Sequence, residues 1–77
     1  MLVGRLLVNE TEGEHYELEA VVAGRRAVYV VVPAGEEVER ALAASVGKRV
    51  RVAGMTHEGP SVFMRGPVLR VTHVQIV

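Results

Sequence analysis

The sequence predicts an all-β domain of five strands, with one short helix between the third strand and the fourth. Its 77 residues include 17 valines, nearly all in short runs, and branched side chains favour extended backbone. Apolar residues alternate with polar ones in most segments, and they take a helical spacing in only one. A chain of this length is expected to form a single domain, residues 1–77.

The first two predicted strands are joined by a polar loop. Residues 2–8 predict the first strand, which Gly4 and Arg5 interrupt. The segment 9–14 contains a glycine and is otherwise polar, which indicates a hairpin loop. The apolar residues of 15–22 then face one way, which predicts a second strand with one side toward solvent. That solvent-facing side carries His15, Glu17 and Glu19.

A tight turn connects the second predicted strand to the third. Ala23 and Gly24 predict a two-residue turn into a strand over residues 25–32, because glycine accepts a positive φ. Counting outward from the turn pairs Leu18 with Tyr29 on the inner face. The outer face of the third strand is then apolar, and it needs a cover, either a loop or another subunit. We therefore predict as interface residues Val28, Val30 and Val32, together with Met64.

One segment changes to a helical period. Pro33 ends the third strand because it cannot donate a hydrogen bond to the ladder. Two glutamates then stand where the first turn of a helix favours anions. Gly47 predicts the end of the helix. We expect the helix over residues 36–46, with one apolar stripe made of Val38, Ala41, Leu42, Ser45 and Val46.

The fourth predicted strand, residues 48–55, carries the most basic surface of the sheet. Its inner face takes Val50 and Val52. Its outer face takes Arg49 and Arg51. Both arginines therefore point toward solvent on one side of the sheet.

The end of the chain predicts a loop and a last strand. Residues 56–60 indicate a loop, 61–65 a short extended piece, and 68–77 the fifth strand. The alternation of the fifth strand slips by one residue. We therefore predict a β-bulge near Thr72 and His73.

Three segments carry a resemblance to a known fold. Residues 47–54 (GKRVRVAG) and 68–77 (VLRVTHVQIV) resemble the fourth and closing strands of OB-fold nucleic-acid binders. Residues 1–8 (MLVGRLLV) are similar to the opening strand of bacterial single-stranded-DNA-binding proteins and their primosomal relatives. The order of the elements is also that of the OB-fold. The resemblance implies a small five-stranded Greek-key barrel that binds single-stranded DNA or RNA without catalysis.

Four residues are predicted to contact the nucleic acid. Phe63 is placed to stack on a base, and Arg65 to neutralise a phosphate. Arg49 and Arg51 are placed to follow the backbone of the strand. Three of the four have a structural alternative. Phe63, together with Met64, can cover the end of the barrel or pack against a neighbouring chain. The two strand arginines can pair with Glu17 or Glu19, or simply be solvated.

Two features favour a second function class, an oligomerising or protein-interaction barrel. The only aromatic residues are Tyr16, Tyr29 and Phe63, whereas single-strand binders present several stacking rings. The first hairpin loop is acidic, and its glutamates repel phosphates. A homo-oligomer or a protein partner therefore stands beside nucleic acid as an expectation.

The charges divide unevenly along the chain. Residues 1–39 hold eight glutamates and three arginines, a balance of −5, and residues 40–77 hold one glutamate and six basic residues, a balance of +5. The two halves either pair across the outer faces of one barrel or form two separate surface patches, one of them for an anionic partner. The sequence leaves both arrangements open.

Several function classes find little support. The chain has no aspartate and no cysteine, and its three histidines lack the spacing of metal ligands. We therefore expect no catalytic residue, metal or cofactor. No secretory signal or membrane-spanning run is visible, so we expect a cytoplasmic protein without a membrane partner. Few amides and no cysteine are typical of a thermophilic source, although GC-rich codons would produce the same arginine and valine bias.

Overall fold

The computed structural model describes residues 1–11, 13–57 and 67–77, and for His57 the backbone alone. The order and type of the predicted elements are confirmed in this part of the chain, whereas the predicted extended piece 61–65 lies outside it. The elements are β1 (Leu2–Asn9), β2 (His15–Val22), β3 (Arg25–Pro33), α1 (Glu36–Ser45), β4 (Arg49–His57) and β5 (Val68–Ile76).

The five strands close into a barrel. Their order around it is β1, β2, β3, β5, β4, and β4 returns to β1. The neighbours β3 and β5 are parallel, and all other neighbours are antiparallel. With α1 placed between β3 and β4, this is the predicted OB-type barrel.

Strand β1 closes the barrel, because it pairs with β2 on one side and with β4 on the other. Residues 4–9 pair with β2, and residues 2–5 pair with β4, so that Gly4 and Arg5 pair with both. A Cβ atom on Gly4 would lie 2.1 Å from the backbone oxygen of Glu19. Gly4 therefore does not interrupt the strand as the sequence suggested. It permits a close approach of the backbones, which keeps β1 continuous.

The hydrophobic core fills the barrel in the predicted register. Leu18 pairs with Tyr29 across β2 and β3, as counted from the turn. Helix α1 packs against β3 and β5 and contributes Leu42, which is fully buried. Val50 and Val52, the predicted inward residues of β4, are also buried. The core cluster consists of Leu6, Leu18, Ala20, Val31, Leu42, Val50, Val52, Leu69 and Val71.

The end of α1 lies close to its predicted position. The last helical residue is Ser45, one residue before the predicted end, and its hydroxyl donates to the carbonyl oxygen of Ala41 at 2.7 Å. Gly47 has a φ of 83°. A positive φ is accessible to glycine at little cost, so Gly47 ends the helix as predicted.

The predicted bulge lies in β5. Ala53 of β4 pairs with His73, but the next residue, Gly54, pairs with Val71, so Thr72 has no partner in the ladder. The Thr72 hydroxyl donates to the carbonyl oxygen of Ala53 at 3.2 Å. The extra residue moves the inward positions of β5 by one, which explains the slip in the sequence pattern.

The outer face of β2 and β3 differs from its prediction. Val30 is fully buried within the single chain, Val28 is half-buried, and only Val32 is exposed. Glu17, which lies opposite Val30, is buried as well, although its alternation placed it toward solvent. Alternation identifies the side of a sheet on which a residue lies, but it does not say whether that side is covered.

Candidate nucleic-acid interface

The outer face of β4 brings predicted and unpredicted arginines together. Arg49 and Arg51 are exposed and two residues apart on this strand. Arg5 lies directly opposite Arg49 on β1, and it is also exposed. Three arginines therefore adjoin one another where the barrel closes between β1 and β4.

Strand β5 extends this surface. Its outward residues His73 and Arg70 lie opposite Ala53 and Met55 of β4, and both are exposed. The strands β1, β4 and β5 contain no acidic residue. We call this surface the basic face, and it consists of Arg5, Arg49, Arg51, Arg70 and His73.

The two carboxylates on β2, those of Glu17 and Glu19, contact side chains other than the arginines of β4. Glu19 accepts a hydrogen bond from Arg26 of the neighbouring strand β3. Glu17 contacts His15 on its own strand and Asn9 on β1. The alternative in which Glu17 or Glu19 pairs with the arginines of β4 is not found in the described part of the chain, because β1 lies between β2 and β4.

A buried polar cluster lies on the outer side of β2. The Nδ1 atom of His15 is 3.0 Å from the carbonyl oxygen of Gly13, and Nε2 is 2.7 Å from Oε2 of Glu17. The Asn9 side-chain amide donates to the same Oε2 at 3.0 Å. Since a carbonyl only accepts, Nδ1 donates to Gly13, and Oε2 of Glu17 contacts both His15 and Asn9. His15 and Glu17 are less than a tenth exposed, so this hydrogen-bonded cluster is largely shielded from solvent.

Acidic residues also gather at the start of α1. Glu36, Glu37 and Glu39 lie in its first turn. The Tyr16 hydroxyl donates to Oε1 of Glu39 at 3.3 Å. Burial, with further contributions from Glu39 and Glu14, raises the pKa of Tyr16. Within the described ranges the chain therefore carries both a cross-strand pair, Glu19 with Arg26, and groups of like charge.

The remaining predicted contacts fall outside the described residues. Phe63, Met64 and Arg65 belong to the segment between β4 and β5 that the structure does not describe. Tyr16 and Tyr29 are half-buried and pack against the core. Among the residues described, no exposed aromatic ring is therefore available to stack on a base.

Sequence reasoning did not identify Arg5 as a site residue. It lies 44 positions before Arg49 in the chain, and only the pairing of β1 with β4 makes the two residues neighbours. The available signal was a charged residue within an otherwise apolar predicted strand, which favours an outer face for Arg5 but does not name its neighbour.

The described residues offer neither a metal site nor a membrane-spanning helix. Across 1–11, 13–57 and 67–77, no group of three or more histidine and glutamate side chains is arranged to hold a metal ion. The helix that the structure describes there, α1, is too short and too polar to cross a membrane.

Comparison of the chain with protein-family models, curated proteins and solved structures gives no match.

Proposed function

We propose that the chain is a cytoplasmic, non-catalytic module that binds single-stranded nucleic acid weakly, without sequence preference, on the basic face. The observation that supports this most directly is the cluster of Arg5, Arg49 and Arg51. These side chains are exposed, adjacent, and located on strands without any carboxylate. The resemblance of the strand sequences to single-stranded-DNA-binding proteins points the same way.

The geometry suits contact with successive phosphates. Arg49 and Arg51 are separated by two residues of extended strand, or about 6.6 Å. Arg5 stands beside Arg49 on the neighbouring strand. Guanidinium groups bind phosphate oxygens through paired hydrogen bonds, and this contact does not depend on the base. Binding of this kind is electrostatic and therefore sensitive to salt.

A salt titration of oligonucleotide binding tests the proposal. With three phosphates neutralised, log K against log salt has a slope of roughly −2 for a single strand. Arg51→Ala is expected to make the slope shallower by about 0.7, one phosphate's share. Fluorescence anisotropy with labelled oligo(dT) measures both. Arg40→Ala removes the same charge from the exposed surface of α1 and is expected to leave the slope unchanged.

The outcome that contradicts the proposal is a folded protein that does not bind at low salt, where electrostatic attraction is strongest. An equal change of slope in the Arg51 and Arg40 variants would also count against the basic face, because it would show a response to net charge alone.

A second candidate function is an oligomerising barrel, and two exposed apolar side chains favour it. Val32 of β3 and Met55 of β4 lie on either side of Arg70 of β5. Val32 is 39% exposed and Met55 is 76% exposed. The partner that we propose for this surface is a second copy of the chain, which would cover both side chains.

A further inference from the structure

An open cleft of about 650 Å³ lies where β1 separates from β2. The two strands pair only from Gly4 onward, because the earlier residues of β1 continue along β4. On the other side, Val21 and Val22 pair with β3. The two strands therefore form the sides of a fork. The apolar side chains that line it include Leu2, Val3, Val21 and Val22.

The charged groups of this cleft do not balance. Among the described residues it is lined by Arg5, Arg26 and Arg49, but by one carboxylate, that of Glu19. Glu19 binds Arg26, which leaves an excess of two positive charges among these side chains. Arg5 and Arg49 also stand directly opposite each other on adjacent strands, an arrangement that destabilises a sheet. A bound anion would relieve this repulsion.

We propose that the cleft binds a phosphate monoester. Such a group carries a charge of about −1.5 to −2 at neutral pH and three strong acceptor oxygens. Its charge therefore matches the excess of the cleft, whereas a phosphodiester, with one negative charge, leaves part of the excess uncompensated. The group that we assign to the cleft is the terminal phosphate of a nucleic-acid strand. This last identification rests on the proposed function, but the binding of the phosphate group does not.

A titration with inorganic phosphate tests the cleft by itself. In ¹H–¹⁵N NMR spectra, the largest shifts are expected at the amides of Arg5, Glu19 and Arg49. Arg5→Gln is expected to weaken binding roughly two- to fivefold, the effect of one exposed charge pair. Glu19→Gln is expected to tighten binding by roughly the same factor, because it removes the only negative charge of the cleft.

Two variants on α1 provide matched controls, because that helix packs against β3 and β5. Arg40→Gln and Glu37→Gln change the net charge by the same amounts at exposed positions, and neither is expected to alter phosphate affinity. Shifts spread evenly over the basic face, or equal effects of the cleft and control variants, would overturn the site. The dispersion of the NMR spectrum shows in each case that the variant is folded.

A comparison of two oligonucleotides identifies the carrier of the phosphate. Oligo(dT) phosphorylated at both ends is expected to bind roughly two- to fivefold more tightly than the unphosphorylated strand, and Arg5→Gln is expected to abolish this difference. If both strands bind equally while inorganic phosphate still binds in the cleft, the terminal phosphate is the wrong ligand. If neither oligonucleotide binds while inorganic phosphate does, the proposed nucleic-acid function is wrong, but phosphate binding in the cleft is supported.

Discussion

The position of Glu17 shows how a single residue can depart from its pattern. Alternation along β2 places it on the outer side of the sheet, together with His15. The structure confirms that side, but both residues are less than a tenth exposed there, and they bind each other at 2.7 Å. Buried polar groups are stable when their hydrogen bonds are made, which this pairing achieves.

Removal of the Glu17 carboxylate is therefore expected to destabilise the protein. Glu17→Ala takes an acceptor from His15 and Asn9, and loss of partners in a site without solvent costs about 1–3 kcal/mol. Urea denaturation measures the free energy of unfolding. Glu37→Ala, at an exposed position of α1, serves as the control and is expected to change stability by about 0.5 kcal/mol or less. Equal effects of the two substitutions would contradict the buried pair.

At the scale of the elements, the apolar stripe of α1 packs into the barrel, with Leu42 at its centre and Val38 against the core. Leu42 is fully buried in the core cluster, whereas Arg40, two positions earlier, is exposed. The helix has ten residues, and a helix of that length has little stability of its own in water. Its place between β3 and β4 therefore depends on the contacts of its apolar stripe.

Leu42→Ala is expected to lower the free energy of unfolding by about 2–5 kcal/mol, the usual range for a fully buried leucine. A loss of this size is a large part of the stability of a small domain. Thermal denaturation followed by circular dichroism measures it, with Arg40→Ala as the control on the same helix. A small effect at Leu42 would show that α1 does not pack into the barrel as described.

At the scale of the whole molecule, closure of the barrel determines how the charges are distributed. The pairing of β1 with β4 places Arg5 beside Arg49. The strands β1, β4 and β5 contain no acidic residue. The glutamates of α1 lie in the first turn of the helix instead. A formal net charge of zero thus coexists with a basic face and an acidic helix end. The electrostatic potential of such a face is strongest at low ionic strength, where the proposed binding is therefore to be measured.

Self-association belongs to the same scale, and it tests the second candidate function. A dimer or larger species is expected at micromolar concentration by sedimentation, with the exposed side chains of Val32 and Met55 in the interface. Val32→Lys is then expected to shift the protein toward the monomer, because it places a charge in an apolar contact. Val21→Lys, at another exposed apolar position, is the control. A clean monomer of the unsubstituted chain would contradict this function.

The sequence by itself determined the local structure of this protein. Alternation identified the second, fourth and fifth strands, and apolar runs indicated the other two. Ala23 and Gly24 set the register of β2 against β3, and Gly47 predicted the end of the helix to within one residue. The slip in the last strand identified the bulge at Thr72. The strands, the turn, the helix end and the bulge all depend on residues that are near one another in the chain. The pattern of a short segment is therefore enough to predict them. The outward direction of Arg49 and Arg51 follows from the same local rule.

Only the tertiary structure decided which distant residues meet. It placed Arg5 beside Arg49 and opened a cleft between β1 and β2. It also buried Glu17 on a side that alternation gives to solvent, and it left Val32 exposed while it buried Val30. The physical reason is that neighbourhood and burial depend on strand pairs far apart in sequence and on what covers each face. The alternation of polar and apolar residues in a single strand therefore predicts neither its neighbours nor its burial.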